Sequence, residues 1–306
     1  MARAPTYENI RYEAERGRAR ITLDRPGQRN ALSLDLLNEL ADALWEADDD
    51  RSVHCVILRA AGPVFSAGYD IAPAPPPGDD GVERRTGRGV DDDVWGIERF
   101  QRAMRTLWEM HKPTIAQVHG SCLAGGTDLA LYCDMVIAAD DATIGFPAVR
   151  SLGAPPNHLW LYNCGPQWTK RLLLTGDTVT GVEAAQIGLI LKSVPPDALA
   201  AEVEGLADRL ASVDPELLAA NKRIVNVGLE LMGAQTLQRL AAENDARAHT
   251  SRAVRQTFRD IGEHGLKQTI ADRNEPFGDG RARVRGPEHR DDHGHLSDGT
   301  ESDDDR

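Results

Sequence analysis

The residues best suited to chemistry lie in one stretch, His119-Gly-Ser-Cys-Leu-Ala-Gly-Gly-Thr-Asp-Leu-Ala-Leu-Tyr-Cys-Asp134. Before it, the apolar run Thr114-Ile-Ala-Gln-Val118 reads as a strand that breaks at Gly120, and the paired Gly125-Gly126 opens a short apolar helix through Tyr132. A strand, a glycine turn and a helix start together aim backbone N–H groups and a positive dipole end at an anion. Gly125 has no Cβ, so a ligand can approach the main chain closely there. Asp128 falls on the first turn of that helix, beside whatever sits over the glycines. The same pattern occurs earlier, where Val56-Ile-Leu58 leads into Pro63-Val-Phe-Ser-Ala-Gly-Tyr-Asp-Ile71. Two such turns can offer two N–H donors to one oxygen, an arrangement that stabilises a developing oxyanion.

The elements around these turns must hold them in place. Residues 8–24 alternate about Arg16-Gly17 and predict a β-hairpin with Ile21 and Leu23 on one face. Arg25-Pro-Gly-Gln-Arg-Asn-Ala31 is a loop, after which Ser33 or Asp35 caps an amphipathic helix through Trp45. Residues 72–93 begin Ala72-Pro-Ala-Pro-Pro-Pro-Gly-Asp-Asp80 and cannot bury a core, so a mobile or disordered insert is expected. Its place directly after the first turn makes it either a lid over a pocket or a plain surface loop. Trp95 to Met110 has helical periodicity and leads into the central strand, while Met135–Ala139 and Ala142–Gly145 read as short strands. Residues 196–277 carry amphipathic helical segments, among them Leu199–Leu210, Glu216–Leu231 and Thr236–Ala248; residues 278–306 are polar and expected to be disordered.

Composition narrows the class. A chain of 306 residues accommodates one α/β core with a helical appendix. A content of 41% hydrophobic and 27% charged residues is that of a soluble globular protein. No run approaches the ~20 apolar residues of a membrane span, and the N-terminus lacks an apolar signal core, so a cytoplasmic location is expected. The net charge of −13 argues against a nucleic-acid footprint. The four cysteines, Cys55, Cys122, Cys133 and Cys164, are scattered through apolar surroundings and read as buried free thiols. His289, His293 and His295 sit in the acidic tail and read as solvated rather than metal-binding. No metal or redox cofactor is implied, since there is neither a Walker A motif nor a dinucleotide fingerprint.

Phe65-Ser-Ala-Gly-Tyr-Asp70 and Gly120-x4-Gly-Gly-Thr-Asp-Leu-Ala130, with Lys112-Pro113 ahead of the second, resemble the crotonase (enoyl-CoA hydratase/isomerase) superfamily. Arg25-Pro26 with Asn30-Ala31-Leu32, and Leu174-Thr-Gly176 with Ala184-Ala185 and Gly188-Leu189, are similar to its other landmarks. Each motif is weak alone, but their shared order is specific, and the likeness runs from Ile10 to Asp272. It implies an α/β fold, the crotonase-like stacked ββα spiral, over residues 8–195, with a C-terminal α-helical trimerisation region over 196–277. It also implies a homotrimer or hexamer and an acyl-CoA substrate, with coenzyme A as part of the substrate and no separate cofactor. The family holds a thioester oxygen between two N–H groups, which here correspond to those of Tyr69 and Gly125, each donor being worth roughly 3–4 kcal/mol. Ala31, Ser66, Ala67, Gly68, Asp70, Ile71, Gly126 and Ala148 fall along the substrate, with Asp70 also serving the turn itself. The loop carrying Arg25 and Arg29 lies along CoA in the family, so these arginines either meet phosphates or stay solvated.

The side-chain acids depart from the pattern. The family's hydratases use two glutamates, and the first position matches Asp128, one methylene shorter. The second falls in Pro147-Ala-Val-Arg-Ser-Leu-Gly153, on Ala148 or Val149, and no Asp or Glu occurs between Asp141 and Asp177. One carboxylate can still abstract and return a proton, activate water, or protonate an enolate after C–C cleavage. His158 is a candidate for the missing acid–base group. Arg150 either binds a substrate carboxylate or pairs with another acid, and the Tyr69 hydroxyl turns either to the pocket or to solvent. Two classes of function follow: an acyl-CoA enzyme of hydratase/isomerase type, or a catalytically impaired acyl-CoA-binding or assembly subunit.

Overall fold

A computed structural model describes residues 6–71 and 89–298 of the chain. It opens with β1 (Ile10–Glu15) and β2 (Arg18–Leu23), an antiparallel pair that sets Ile10 opposite Leu23. Arg16 and Gly17 both take positive φ, 51° and 77°, as a two-residue hairpin turn requires. Ser33 caps α1 (Leu34–Asp49), its hydroxyl accepting from the Leu36 N–H at 3.2 Å, and the helix runs on past Trp45. Next come β3 (Cys55–Ala60) and α2 (Val90–Glu109). The latter begins before Trp95, because Asp91, Asp92 and Asp93 complement its positive end. Of the expected insert, residues 72–88 lie outside the described residues, whereas 90–93 are helical.

The central unit is β4 (Thr114–Val118), β5 (Ser121–Leu123) and α3 (Gly125–Leu131). After it run β6 (Met135–Ala139), β7 (Thr143–Gly145), α4 (Leu159–Thr175), β8 (Thr178–Thr180), α5 (Gly181–Gln186) and β9 (Lys192–Val194). One sheet has the order β1-β2-β3-β4-β6-β9 and is parallel beyond the hairpin; a second, smaller sheet has the order β5-β7-β8. β4 and β6 are each followed at once by a strand of the other sheet, so the α/β chain winds as a stacked ββα spiral. α1 presents Leu36, Leu37, Leu40 and Leu44 to the β1–β2 end, all fully buried and each worth about 1.5–3 kcal/mol. Then follow α6 (Leu199–Ala211), α7 (Pro215–Leu231), α8 (Ala234–His249), α9 (Arg252–His264) and α10 (Leu266–Asn274), of which α6 covers β3, β4 and β6 and α8 packs on α2. No described helix is long and apolar enough to cross a membrane. Cys55, Cys122 and Cys133 are buried free thiols, and Cys164 is half-buried.

Residues 278–298 correct the expectation of a disordered tail. Arg281 bridges to Thr178, with the Thr178 N–H donating to the Gly280 carbonyl at 2.8 Å and the Ala282 N–H to the Thr178 carbonyl at 2.9 Å. Ala282 is fully buried, and β10 (His289–Arg290) pairs with β11 (Leu296–Ser297). The free edge of β8 accepts backbone from a segment whose polar composition conceals three apolar anchors, Ala282, Val284 and Leu296. Residues 299–306 lie outside the described residues.

Two contacts fix the parts of this fold that frame a cavity. The segment after β3 is zipped along β5. The Phe65 N–H donates to the His119 carbonyl (2.9 Å), the Ser66 N–H to the Ser121 carbonyl (3.1 Å), and the Leu123 N–H to the Ser66 carbonyl (3.0 Å). Gly120 permits the crossing, for at φ 56° a Cβ would stand 2.1 Å from the Pro63 carbonyl oxygen. Separately, Arg150 ties the turn after β7 to the start of β8 and to α10. Its Nη2 lies 2.8 Å from Asp177, its Nε donates to the Thr175 carbonyl (2.9 Å) and its Nη1 to Asn274 (3.1 Å), and Phe277 stacks on it at 3.8 Å.

In urea denaturation, Gly120→Ala is expected to lose about 3 kcal/mol through strain and collision. Gly205→Ala, in the open interior of α6, should gain about 1 kcal/mol. Arg150→Ala should cost about 3 kcal/mol by stripping the buried Asp177 of one of its two arginines.

Candidate functional site

On this zipped frame the two glycine turns abut. A Cβ on Gly68 (φ 110°) would lie 2.9 Å from Ala124 Cβ and 3.4 Å from Gly125 N, and one on Gly126 would lie 2.8 Å from the Ser66 carbonyl oxygen. Small residues at these positions therefore let backbone meet backbone. Ala124 is held at φ 49°, ψ −121°, a conformation that costs a residue with a side chain about 1–3 kcal/mol. Three hydrogen bonds keep it there: its N–H donates to the Gly145 carbonyl at 2.9 Å, and its carbonyl accepts from the N–H groups of Thr127 at 2.9 Å and Asp128 at 3.1 Å. Of the neighbouring N–H groups, Gly68 donates to Ser66 Oγ (3.2 Å) and Asp70 to the Leu32 carbonyl (3.0 Å). Those of Tyr69 and Gly125 find no acceptor among the described residues.

The Tyr69 ring lies over Gly125, where a Cβ would come within 2.9 Å of three ring atoms, and it meets Phe100 edge-on at 5.8 Å. Its hydroxyl sits in a directed chain. Tyr132 donates to Gln101 Oε1 (3.2 Å), Gln101 Nε2 to the Tyr69 oxygen (2.7 Å), and Tyr69 to Asp128 Oδ2 (2.7 Å). Asp128 is fully buried and its Oδ1 has no partner among the described residues. Burial pushes its carboxyl well above the usual range, the Tyr69 hydrogen bond opposes this, and the charge of Asp245 adds to it. Burial, with Asp128 alongside, likewise pushes the Tyr69 phenol up, so the hydroxyl keeps its proton.

A cavity of about 950 Å³ opens in front of this pair. Tyr69 and Gln101 line it, whereas Asp128 does not, so the tyrosine stands between the carboxyl and the cavity. Phe100, Leu123, Phe146, Leu152, Phe258 and Ile270 make much of the wall apolar, with Arg29, Lys267 and Arg273 contributing positive charge. Among the described residues, one trio of mutually close possible metal ligands occurs, Asp260, Glu263 and His264. It lies on α9, and none of the three borders the cavity.

The structure brings most of the expected site residues together. Ala31, Ala67, Asp70, Ile71 and Ala148 line the cavity with Tyr69, while Ser66, Gly68, Gly125 and Gly126 form the close-packed backbone behind it. Asp70 also pairs with Arg25 at 2.9 Å, and Arg25 donates to the Ala31 carbonyl, which leaves Arg29 as the loop arginine facing the cavity. Two expectations are corrected. Arg150 is held by Asp177, Thr175 and Asn274 and does not border the cavity. His158 does not border it either: its N–H donates to Gln238 (2.8 Å), and burial lowers the imidazole pKa while a hydrogen bond to the Pro155 backbone opposes the shift. The Tyr69 side chain lines the cavity and its hydroxyl turns to Asp128.

Not anticipated were Gln101, Asp93, Asp245 and His249, all on the cavity wall. Gln101 had a faint signal as a polar residue within the apolar stripe of α2, and Asp245 and His249 had only their i,i+4 spacing.

Comparison with known proteins agrees with this fold. The family model for enoyl-CoA hydratase/isomerase matches residues 13–260. A crotonyl-CoA hydratase of Syntrophomonas wolfei is 35% identical over 229 residues, 73% of this chain and 84% of that protein. Among solved structures, an enoyl-CoA hydratase from Mycobacterium smegmatis superposes with a TM-score of 0.83 at 34% identity, covering 90% of this chain and 96% of that one. An enoyl-CoA hydratase/isomerase from Xanthobacter autotrophicus Py2 gives 0.81 at 36% identity, covering 89% and 99%. With the ββα spiral, the abutting glycine turns and a match over most of its length, the chain belongs to the enoyl-CoA hydratase/isomerase family, the crotonase superfamily.

Proposed function

We propose that the cavity binds an acyl-CoA thioester with its carbonyl oxygen on the N–H groups of Tyr69 and Gly125, and that Tyr69 and Asp128 move the proton of enolate chemistry. The observation that carries this reading is a pair of unspent N–H donors on abutting turns, beside a buried tyrosine–carboxyl pair. Donors already in position stabilise the enolate oxygen without reorganising. Two protons serve the pair, one on the Tyr69 oxygen and one on the Asp128 carboxyl. Tyr69 gives its own to the enolate carbon as the carboxyl passes its proton to the tyrosine oxygen, which leaves the hydroxyl donating to an Asp128 carboxylate, and abstraction runs the same route backwards. The raised carboxyl of Asp128 suits this, since a buried acid that holds its proton can return it.

Isomerisation of a double bond needs only that shuttle. Hydration also needs water to be held, and the family's second carboxylate corresponds here to Ala148 or Val149, of which Ala148 puts a methyl group on the cavity wall. Arg29, Lys267 and Arg273 support binding of CoA phosphates. A homotrimer or hexamer is supported by α7, which buries no residue and exposes Leu217, Ile224, Val225 and Leu231. A groove of about 660 Å³ runs between it and the end of α2.

The test follows loss of crotonyl-CoA absorbance for hydration, and its gain from a 3-enoyl-CoA for isomerisation. Wild type should turn over at least one of them. Asp128→Asn should fall by about 10²–10⁴. Tyr69→Phe, which keeps the N–H and removes the relay, should fall comparably while still binding a saturated acyl-CoA. A wild type inert to both esters that still binds them would favour the second reading, an impaired acyl-CoA-binding subunit, for which the methyl group of Ala148 already speaks.

A further inference from the structure

One further cluster of titratable groups borders the cavity, away from the Tyr69–Asp128 pair. Asp93, in the first turn of α2, meets Asp245 and His249 from the last turns of α8. His249 Nδ1 lies 2.7 Å from Asp93 Oδ2, and Nε2 lies 3.3 Å from Asp245 Oδ1. The Ala154 N–H donates to the same Asp245 oxygen at 2.8 Å. Gly153 presses against the group so closely that a Cβ would lie 2.8 Å from His249 Nε2. The cluster is therefore built from two helices and the loop beyond Ala148. Asp245 is only 6% exposed, yet its Oδ2 makes no hydrogen bond or ion pair among the described residues, and Asp245 lines the cavity. Ile97, one turn along α2 from Asp93, and Leu152, beside Gly153, make the neighbouring wall apolar.

A carboxylate oxygen without a donor on a partly apolar cavity wall is costly until one meets it. We propose that Asp245, positioned by His249 and Asp93, is a specificity site that accepts a hydrogen bond from a hydroxyl on the acyl group, remote from its reacting carbons. The proposal rests on the acyl-CoA reading above and names the substrate class within it. Burial pushes the Asp245 carboxyl up to about 6 and Asp93 adds to this, against the opposing pull of His249 and the Ala154 N–H. A cation fits less well: Arg29, Lys267 and Arg273 already line the cavity, and a neutral hydroxyl gives up less hydration than an ammonium. Position separates this site from the chemistry. Asp93 and Gln101 share the cavity face of α2, eight residues or ~12 Å apart along the axis, and Gln101 holds the Tyr69 hydroxyl. Sites built around a substrate hydroxyl discriminate strongly against the analogue that lacks it, because the buried acceptor is then left unpaired.

The experiment is calorimetric titration of the full-length protein with hexanoyl-CoA and octanoyl-CoA and with their ω-hydroxy counterparts, saturated esters that are not turned over. In wild type, at least one hydroxylated ester should bind about tenfold tighter than its parent. Asp245→Ala should abolish that preference while binding the plain esters undiminished. Equal affinities for hydroxylated and plain esters at both lengths in wild type overturn the proposal whether or not the variant folds. A preference that survives in folded Asp245→Ala overturns it too. If none of the four esters binds wild type, the acyl-CoA reading falls and this proposal with it, an outcome distinct from equal binding.

Discussion

The structure depends on three backbone hydrogen bonds that lace residues 65–66 to residues 119–123. They join two segments more than fifty residues apart in the chain, each the continuation of a strand in the larger sheet. Once laced, the segments cannot slide, and the N–H groups at Tyr69 and Gly125 keep a fixed relation to each other. Glycine is required wherever the lacing brings backbone onto backbone. A methyl group at Gly120 would meet the Pro63 carbonyl, and one at Gly126 would meet that of Ser66. The strained backbone of Ala124 belongs to the same constraint, because it turns the chain from β5 directly into α3. Strain of about 1–3 kcal/mol persists only where surrounding contacts outweigh it, and here they come from Gly145, Thr127 and Asp128.

The second physical theme is burial of charge. Asp128 is fully buried and one of its oxygens finds no partner among the described residues, so burial holds its carboxyl well above the usual range, and Tyr69 stands between it and the cavity. Gln101 and Tyr132 complete the chain and leave the Tyr69 oxygen both a donor and an acceptor. A carboxyl in direct contact with water would titrate in the ordinary acid range and could not serve as a proton reservoir near neutrality. Asp245, buried on the cavity wall that Asp128 does not reach, raises Asp128 further, so the two acids are electrically linked although they lie on different helices.

Local signals made the frame legible in the sequence. The positive-φ pair at Arg16-Gly17, the Ser33 cap and the glycine turns act within a few residues, so pattern and backbone agree. The family resemblance, rather than periodicity, carried the spiral topology and the roles proposed for Tyr69, Gly125 and Asp128. What could not be read was side-chain direction. Arg150 and His158 lie in the segment that lacks a glutamate, and their proximity in sequence suggested proximity to the substrate. In space Arg150 turns to Asp177 and His158 packs beside Pro155, because short-range partners satisfy each of them. Asp93, Asp245 and His249 meet only through the packing of α8 on α2, a contact between segments some 150 residues apart for which the chain carries no local mark. The tail failed for a related reason, since the free edge of β8 that orders residues 278–298 lies a hundred residues upstream.

The central claim is that the Tyr69 and Gly125 N–H groups together polarise a bound thioester carbonyl. The most direct test is the absorption spectrum of a conjugated dienoyl-CoA bound to the protein, because withdrawing electron density onto the carbonyl oxygen moves the band to longer wavelength. The account predicts a clear red shift in wild type that is retained in Tyr69→Phe, where both N–H groups remain. A bound ester with the spectrum it has in water would contradict it.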